Sequence, residues 1–195
     1  MIRINKNGGK KMKAKLFFSA IVLLLSAGLF VACSSDDFMN EDFNGGNKEN
    51  IEVAKQFFDK TFPCGEAGLD VNAKDIGNNY IGFEEYWNDC PCLVINSNEE
   101  LMSVYKGEEA LPKIDFSNIS IILGRVTLPY VYIYQYKGFN LNNSKEKTLV
   151  TLSFKVKDGV NGAYTAETGY YFYKVVPKFN PGKTIRAEAI CPPLP

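Results

Sequence analysis

From residue 119 onward, five short segments with strand-like composition follow one another, and this pattern constrains the fold most. The segments are Ile119 to Val126, Tyr130 to Lys137, Lys147 to Lys157, Tyr170 to Val176 and Thr184 to Ile190. They are rich in β-branched and aromatic residues and are separated by turn-forming residues, as β-strands are. In the third segment, positions 150 to 156 are apolar when even and polar when odd. One face of the sheet should therefore contact solvent, as in antiparallel sheets.

Two segments before residue 119 predict helices. Residues 51 to 61 carry apolar side chains at helical spacing, and Asn50 stands where a capping residue would. Ser97 and Glu100 have the spacing of a capping box, which begins a second helix that ends at Gly107. The chain is thus predicted to be an α+β domain, with a single antiparallel sheet of about five or six strands partly covered by two helices.

The first 32 residues predict an export signal. Six basic residues precede an apolar run from Leu16 to Ala32, and no acidic residue occurs before Asp36. A basic segment, an apolar segment and then small residues are typical of a signal peptide. An N-terminal membrane anchor and a core helix are the alternatives. A core helix would not be apolar on every face while six basic residues stand just before it. Both Met1 and Met12 could start such a leader.

Residues 29 to 33, Leu-Phe-Val-Ala-Cys, resemble a bacterial lipobox. The resemblance implies that residues 1–32 are removed and that Cys33 carries acyl chains such as palmitate. The Ser-Ser-Asp-Asp run that follows resembles the acidic tag of lipoproteins on the outer face of the outer membrane in Bacteroides-type bacteria. Residues 33–50 then form a lipidated acidic tether, and residues 51–195 form one globular domain.

Charge and histidine content argue against several function classes. The chain has 22 basic and 22 acidic residues, and six of the basic ones precede Cys33, so the mature form carries 16 minus 22, or −6. Nucleic-acid binding needs a basic patch, which this balance does not favour. The chain has no histidine, which excludes histidine-dependent triads and HExxH zinc sites. We expect no catalytic residue, no metal, no cofactor and no nucleic-acid partner.

Four cysteines remain beyond the lipidation site, namely Cys64, Cys90, Cys92 and Cys191. An even number of cysteines in an exported chain predicts disulfides and hence a small disulfide-supported domain. Cys90 and Cys92 are too close in sequence to bridge each other comfortably. Cys64 is expected to pair with one of them and Cys191 with the other, which leaves two connectivities open. A redox-active Cys-Pro-Cys is the functional alternative.

Two further motifs are incomplete. Asp70, Asn72 and Asp75 have part of the spacing of a calcium loop, but Asp75 stands where that loop has glycine. Ser103 and Lys106 form an S-x-x-K motif, yet the S-D-N and K-T-G elements that accompany it in penicillin-interacting enzymes are absent from the sequence. Neither motif supports a site by itself.

A ladder of tyrosines is the candidate binding face. Its members, together with a nearby tryptophan, are Tyr130, Tyr132, Tyr134, Tyr136 and Trp87. On a continuous strand, four alternating tyrosines would share one face. An exposed ladder could stack on sugars or anchor a protein partner. In the alternative that we favour, the ladder packs beneath the helix of residues 51 to 61.

The segments VINSNEEL from Val94, IDFSNISIILG from Ile114 and TAETGYYFYKVV from Thr165 resemble small lipoproteins of gut Bacteroides species. Over residues 93–190 the chain is more distantly similar to the C-terminal domain family of PrcB, a lipoprotein that associates with a secreted protease complex and stabilises it. The resemblance implies a non-catalytic outer-membrane or surface lipoprotein that binds a surface or periplasmic protein as an accessory module. The alternative function is glycan binding through the aromatic face.

Overall fold

The computed structural model describes residues 47–84, 90–160 and 166–194. The helices in these ranges are α1 (Lys48–Thr61), α2 (Ala73–Asn79) and α3 (Asn98–Val104). The strands there are β1 (Gly65–Glu66), β2 (Cys92–Ile95), β3 (Ile119–Leu128), β4 (Tyr134–Asn143), β5 (Lys147–Val156), β6 (Thr168–Pro177) and β7 (Thr184–Ile190). None of these helices is long and apolar enough to cross a membrane. The predicted signal peptide, Cys33 and Trp87 lie outside the described residues.

The strands form two sheets. The first is antiparallel with the order β1-β6-β3-β2, and the second has the order β4-β5-β7 with β5 and β7 parallel. The α+β class is confirmed, whereas the single sheet and the two helices were wrong. Every residue of β6 except Pro177 is buried, and β3 is almost as fully buried. Strands buried on both faces need a second layer opposite the helices, which the second sheet supplies.

The four-stranded sheet is the middle layer of three. On one face, Ile121 of β3 belongs to the same buried cluster as Phe58 of α1. On the other face, Ile122 belongs to the cluster that contains Leu152 of β5. Because successive side chains of a strand point to opposite faces, β3 contributes to both clusters. Tyr134 belongs to this second cluster, and Tyr130 and Tyr136 pack against it, so these three tyrosines do not lie beneath α1.

The helix ends show which local signals were correct. Ser97 caps α3 as expected, since its side chain accepts a hydrogen bond from the Glu100 N–H at 3.1 Å. That helix ends at Val104 and not at Gly107, because Tyr105 has extended backbone angles. The residue that caps α1 is Asn47 and not Asn50. The Asn50 side chain makes a contact far along the chain instead.

The predicted strand over residues 130 to 137 is a turn followed by a strand. Tyr132 has φ +70°, a left-handed backbone conformation that no regular strand contains. Strand β4 begins only at Tyr134, and an irregularity in its pairing lies between Tyr136 and Gly138. The four tyrosines consequently do not alternate along one continuous strand.

Candidate functional site

The tyrosine ladder does not form an exposed face. Tyr134 is buried and its ring centroid lies 6.5 Å from that of Phe154, while Tyr136 stacks on Tyr170 of the first sheet at 6.2 Å. Tyr130 is half-buried and stacks on Tyr134. Among the four, Tyr132 alone is exposed. Trp87 lies outside the described residues.

No disulfide joins the four cysteines of the described residues, so the prediction of a disulfide-supported domain was wrong for this structure. The Cys64 sulfur accepts a hydrogen bond from the Tyr173 N–H of β6, and Cys92 pairs with Gly124 of β3. The strand order places Cys64 and Cys92 at opposite edges of the sheet, three strand spacings or about 14 Å apart. A disulfide needs Cα atoms within about 7 Å, so these two cannot bridge without rearrangement. Pairing of Cys191 with Cys92 or Cys90 stays a prediction.

The thiols also differ in their environments. Cys90 is exposed, and its sulfur lies 3.6 Å from the Thr127 hydroxyl. Burial raises the pKa of Cys92 to about 12 and that of Cys191 to about 11. Because the thiolate is the reactive form, Cys92 and Cys191 are poor nucleophiles at neutral pH. This environment does not favour a redox-active Cys-Pro-Cys.

The two incomplete motifs serve local structure. The Asn72 side chain caps α2 by accepting the Asp75 N–H, and the Ser103 hydroxyl donates to the Glu100 carbonyl. No group of three or more metal-ligating side chains is found in residues 47–84, 90–160 and 166–194. The Asn72 and Ser103 side chains therefore have structural roles in the described fold.

A polar cleft of about 760 Å³ lies between the start of α1, the turn before α3 and residues 113 to 117. Two asparagine side chains hold its wall. The Asn50 amide donates to the Asp115 carbonyl at 2.9 Å and accepts the Asp115 N–H at 2.7 Å. Asn98 makes the same pair of bonds with Ile114, at 2.8 Å and 3.2 Å. The two amides thus bind the backbone of residues 114 and 115 from α1 and α3.

The cleft carries more negative than positive charge. Glu49, Glu99 and Asp115 line it together with Lys113. The Ser117 hydroxyl and N–H both donate to the Asp115 carboxylate, and these bonds lower its pKa. The carboxylates are therefore hydrogen-bond acceptors at neutral pH, which gives the cleft a set of polar groups suited to hydroxyl-bearing ligands.

A second arrangement, at the ends of β1 and β3, centres on Glu66. Its side chain is 3% exposed, and the carboxylate accepts the Tyr132 N–H at 2.9 Å. Its backbone carbonyl accepts the N–H groups of Leu69 and Asp70, each at 3.1 Å. The Lys157 ammonium lies 3.8 Å from the carboxylate. Desolvation outweighs these contacts and raises the pKa of Glu66 above its ordinary value.

Glu66 thereby fixes two loops that each present an apolar side chain to solvent. Leu69 is 44% exposed and Tyr132 is 45% exposed. Within the described ranges, Tyr132 is the one residue other than glycine with positive φ. This conformation costs a residue with a Cβ about 1–2 kcal/mol, so the surrounding contacts must hold it. The sequence carries no local signal for this arrangement, because Glu66 and Tyr132 are 66 residues apart.

Comparison with known proteins adds no relative. No family model matches the chain, and neither a curated protein nor a solved structure matches it. The functional interpretation consequently depends on the sequence motifs and on the two surfaces described above.

Proposed function

We propose that this chain is a non-catalytic, lipid-anchored lipoprotein of the outer membrane that binds another surface or periplasmic protein as an accessory module. The lipobox-like residues 29 to 33 support anchoring through Cys33. Each buried CH2 of an acyl chain contributes about 0.8 kcal/mol to membrane binding. The resemblance over residues 93–190 supports a protease complex as the partner. The observation that carries protein binding is the pair of exposed side chains, Leu69 and Tyr132, on loops held by one buried residue.

The physical argument for this surface is its pre-organisation. Tyrosine is among the residues that contribute most at protein interfaces, since it combines a large apolar ring with a polar hydroxyl. Binding normally costs the entropy of ordering loops and side chains. Glu66 binds the backbone of both Leu69 and Tyr132 before any partner arrives. Part of that ordering cost is therefore already met in the free protein.

We expect the double variant Leu69→Ala and Tyr132→Asn to weaken partner binding at least 30-fold. Loss of an interface anchor costs about 2 kcal/mol or more, which corresponds to that factor. Asparagine is chosen because it tolerates positive φ, so the loop keeps its conformation. The measurement is affinity capture from native outer membranes with the full chain as bait, followed by mass spectrometry and titration of the recovered partner.

Met102→Ala is the matched control, because Met102 is also an exposed apolar residue but lies on α3. We expect it to retain the partner at parental affinity. If the double variant binds as tightly as the parent, Leu69 and Tyr132 are not the docking surface. If the parent recovers no protein above the untagged control, the protein-binding proposal itself fails.

Glycan binding is the second candidate function. The polar cleft favours it, whereas the tyrosines do not form the exposed face that glycan stacking would need. Carboxylate oxygens such as those of Glu49 and Glu99 can accept hydrogen bonds from sugar hydroxyls. We expect Glu49→Gln with Glu99→Gln to reduce retention of the full chain on a polysaccharide affinity gel at least several-fold if this candidate is correct. Absence of retention by the parent across a glycan array would exclude it.

A further inference from the structure

Three groups from different elements act on the Glu66 carboxylate, and a fourth residue lies opposite Glu66 in the strand register. Lys157 follows β5 and brings a positive charge, while Asp70 in the β1–α2 connection brings a negative one. Tyr132 in the β3–β4 connection donates its backbone N–H. Tyr170 lies opposite Glu66 on β6. The carboxylate is thus enclosed where β1, β6 and two loops meet, and its charge acts directly on the residue with the unusual backbone.

The chain contains a second carboxylate with the same kinds of contact. Glu84 accepts the Gly82 N–H at 2.8 Å and contacts the Lys106 ammonium at 2.7 Å. Gly82 also has positive φ, at +90°. Two differences matter: Glu84 is on the surface, and its left-handed residue is a glycine, which adopts that conformation without steric cost.

We propose that Glu66 is a proton-sensitive switch for the loop that presents Tyr132. In its charged form, the carboxylate accepts a charge-assisted hydrogen bond from the Tyr132 N–H and attracts Lys157. When it takes up a proton from solvent, the bond becomes a weaker neutral one and the attraction to Lys157 is lost. Tyr132 then leaves the left-handed conformation, since a bulky residue does not retain it without support. The expected consequence for binding is that a partner is released when Glu66 takes up a proton. This consequence rests on the proposed function.

The direction of the proton linkage follows from burial. Desolvation is the largest influence on Glu66 and raises its pKa above 4.5, so the folded chain binds the proton more tightly than the unfolded chain. The contribution of Glu66 to the free energy of unfolding therefore increases as pH falls from neutral through the folded pKa, and levels off near the unfolded value. Glu84 behaves in the opposite way, because its bond with Lys106 lowers its pKa to about 2. As the pH falls, Glu66 should therefore take up its proton before Glu84 does.

The experiment follows the backbone amide of Tyr132 by NMR in the full chain labelled with 15N-tyrosine. The chain contains eleven tyrosines. The Tyr132→Phe variant identifies the signal by its loss. As the pH is lowered from neutral toward the acid at which the chain unfolds, we expect a sigmoidal shift of this amide, because burial raises the pKa of Glu66 above its ordinary value. The nuclear Overhauser cross-peak between the amide and α protons of Tyr132 is strong when φ is positive. It should weaken over the same pH range as the amide shift.

Two variants decide the assignment. Glu66→Gln cannot titrate, so Tyr132 should show the acid-state spectrum at every pH and the pH-dependent gain in unfolding free energy should disappear. Glu84→Gln should leave the Tyr132 transition unchanged. A Tyr132 signal that does not move over this range, or a transition that persists in Glu66→Gln, would overturn the proposal. Either result can be obtained without any partner, so it is distinct from a failure of the proposed protein binding.

Discussion

Replacing Gly124 by alanine is expected to destabilise the fold by about 1–3 kcal/mol, because the site has no room for a methyl group. A Cβ at this position would lie 2.2 Å from Cζ and 2.4 Å from Cε1 of Phe172. Phe172 is fully buried opposite Gly124 in the β3–β6 register. Its ring cannot move into solvent, so the strain must be taken up by the packing between the sheets. Urea unfolding of the full chain measures the effect as a lower midpoint at an unchanged slope.

Gly138→Ala is the matched control for this prediction. Gly138 also lies in a strand, but a Cβ built there meets no atom within 4 Å. We expect its free energy of unfolding to change by no more than about 1 kcal/mol, with stabilisation as the favoured sign. Introducing Phe172→Leu together with Gly124→Ala should cost less than the sum of the single changes, since the smaller side chain makes space for the methyl. Strict additivity would show that the two residues are not in contact.

The positions of most strands could be predicted from the sequence, because runs of β-branched and aromatic residues between turn residues are a local property. The last strand lies at Thr184–Ile190 as expected, and the strand predicted from Lys147 ends one residue early. The partners of these strands could not be predicted. The parallel pairing of β5 with β7 depends on how residues 178 to 183 cross between sheets, and the Lys178 N–H is bound to the distant Asn118 carbonyl.

The candidate binding surface at Leu69 and Tyr132 could be predicted from the sequence less well than the fold. Tyr130 to Tyr136 alternate as a strand would, and nothing nearby in the sequence shows that Tyr132 interrupts it. At this interruption the Tyr132 N–H donates a hydrogen bond to the carboxylate of Glu66, which is remote in the chain. The same long-range control explains the wrong cap of α1. Asn50 is a good capping residue, but its amide is used to bind Asp115.

Lys174 is another residue whose position could not be expected from sequence. It lies in the middle of β6, its exposed fraction is 0%, and it faces the second sheet. Its ammonium lies 5.0 Å from the ring centroid of Tyr136 and 5.9 Å from that of Phe139, both on β4. A cation near the negative face of an aromatic ring is stabilised by the ring quadrupole, and by more when water is excluded. The two sheets are thus joined at this point by a charge and two rings.

Reversing this charge should have the largest effect of any substitution considered. Lys174→Glu would place a carboxylate in a dry environment beside two ring faces, and we expect it to cost about 3–5 kcal/mol or to prevent folding. Lys174→Met keeps a similar length without the charge, and should cost less than about 1.5 kcal/mol. Thermal unfolding followed by circular dichroism would compare the two, and the Met variant reports on the site even if the Glu variant does not fold. Equal losses in both variants would contradict this prediction, because the change that both share is loss of the ammonium, and the buried carboxylate of the Glu variant would then add no cost of its own.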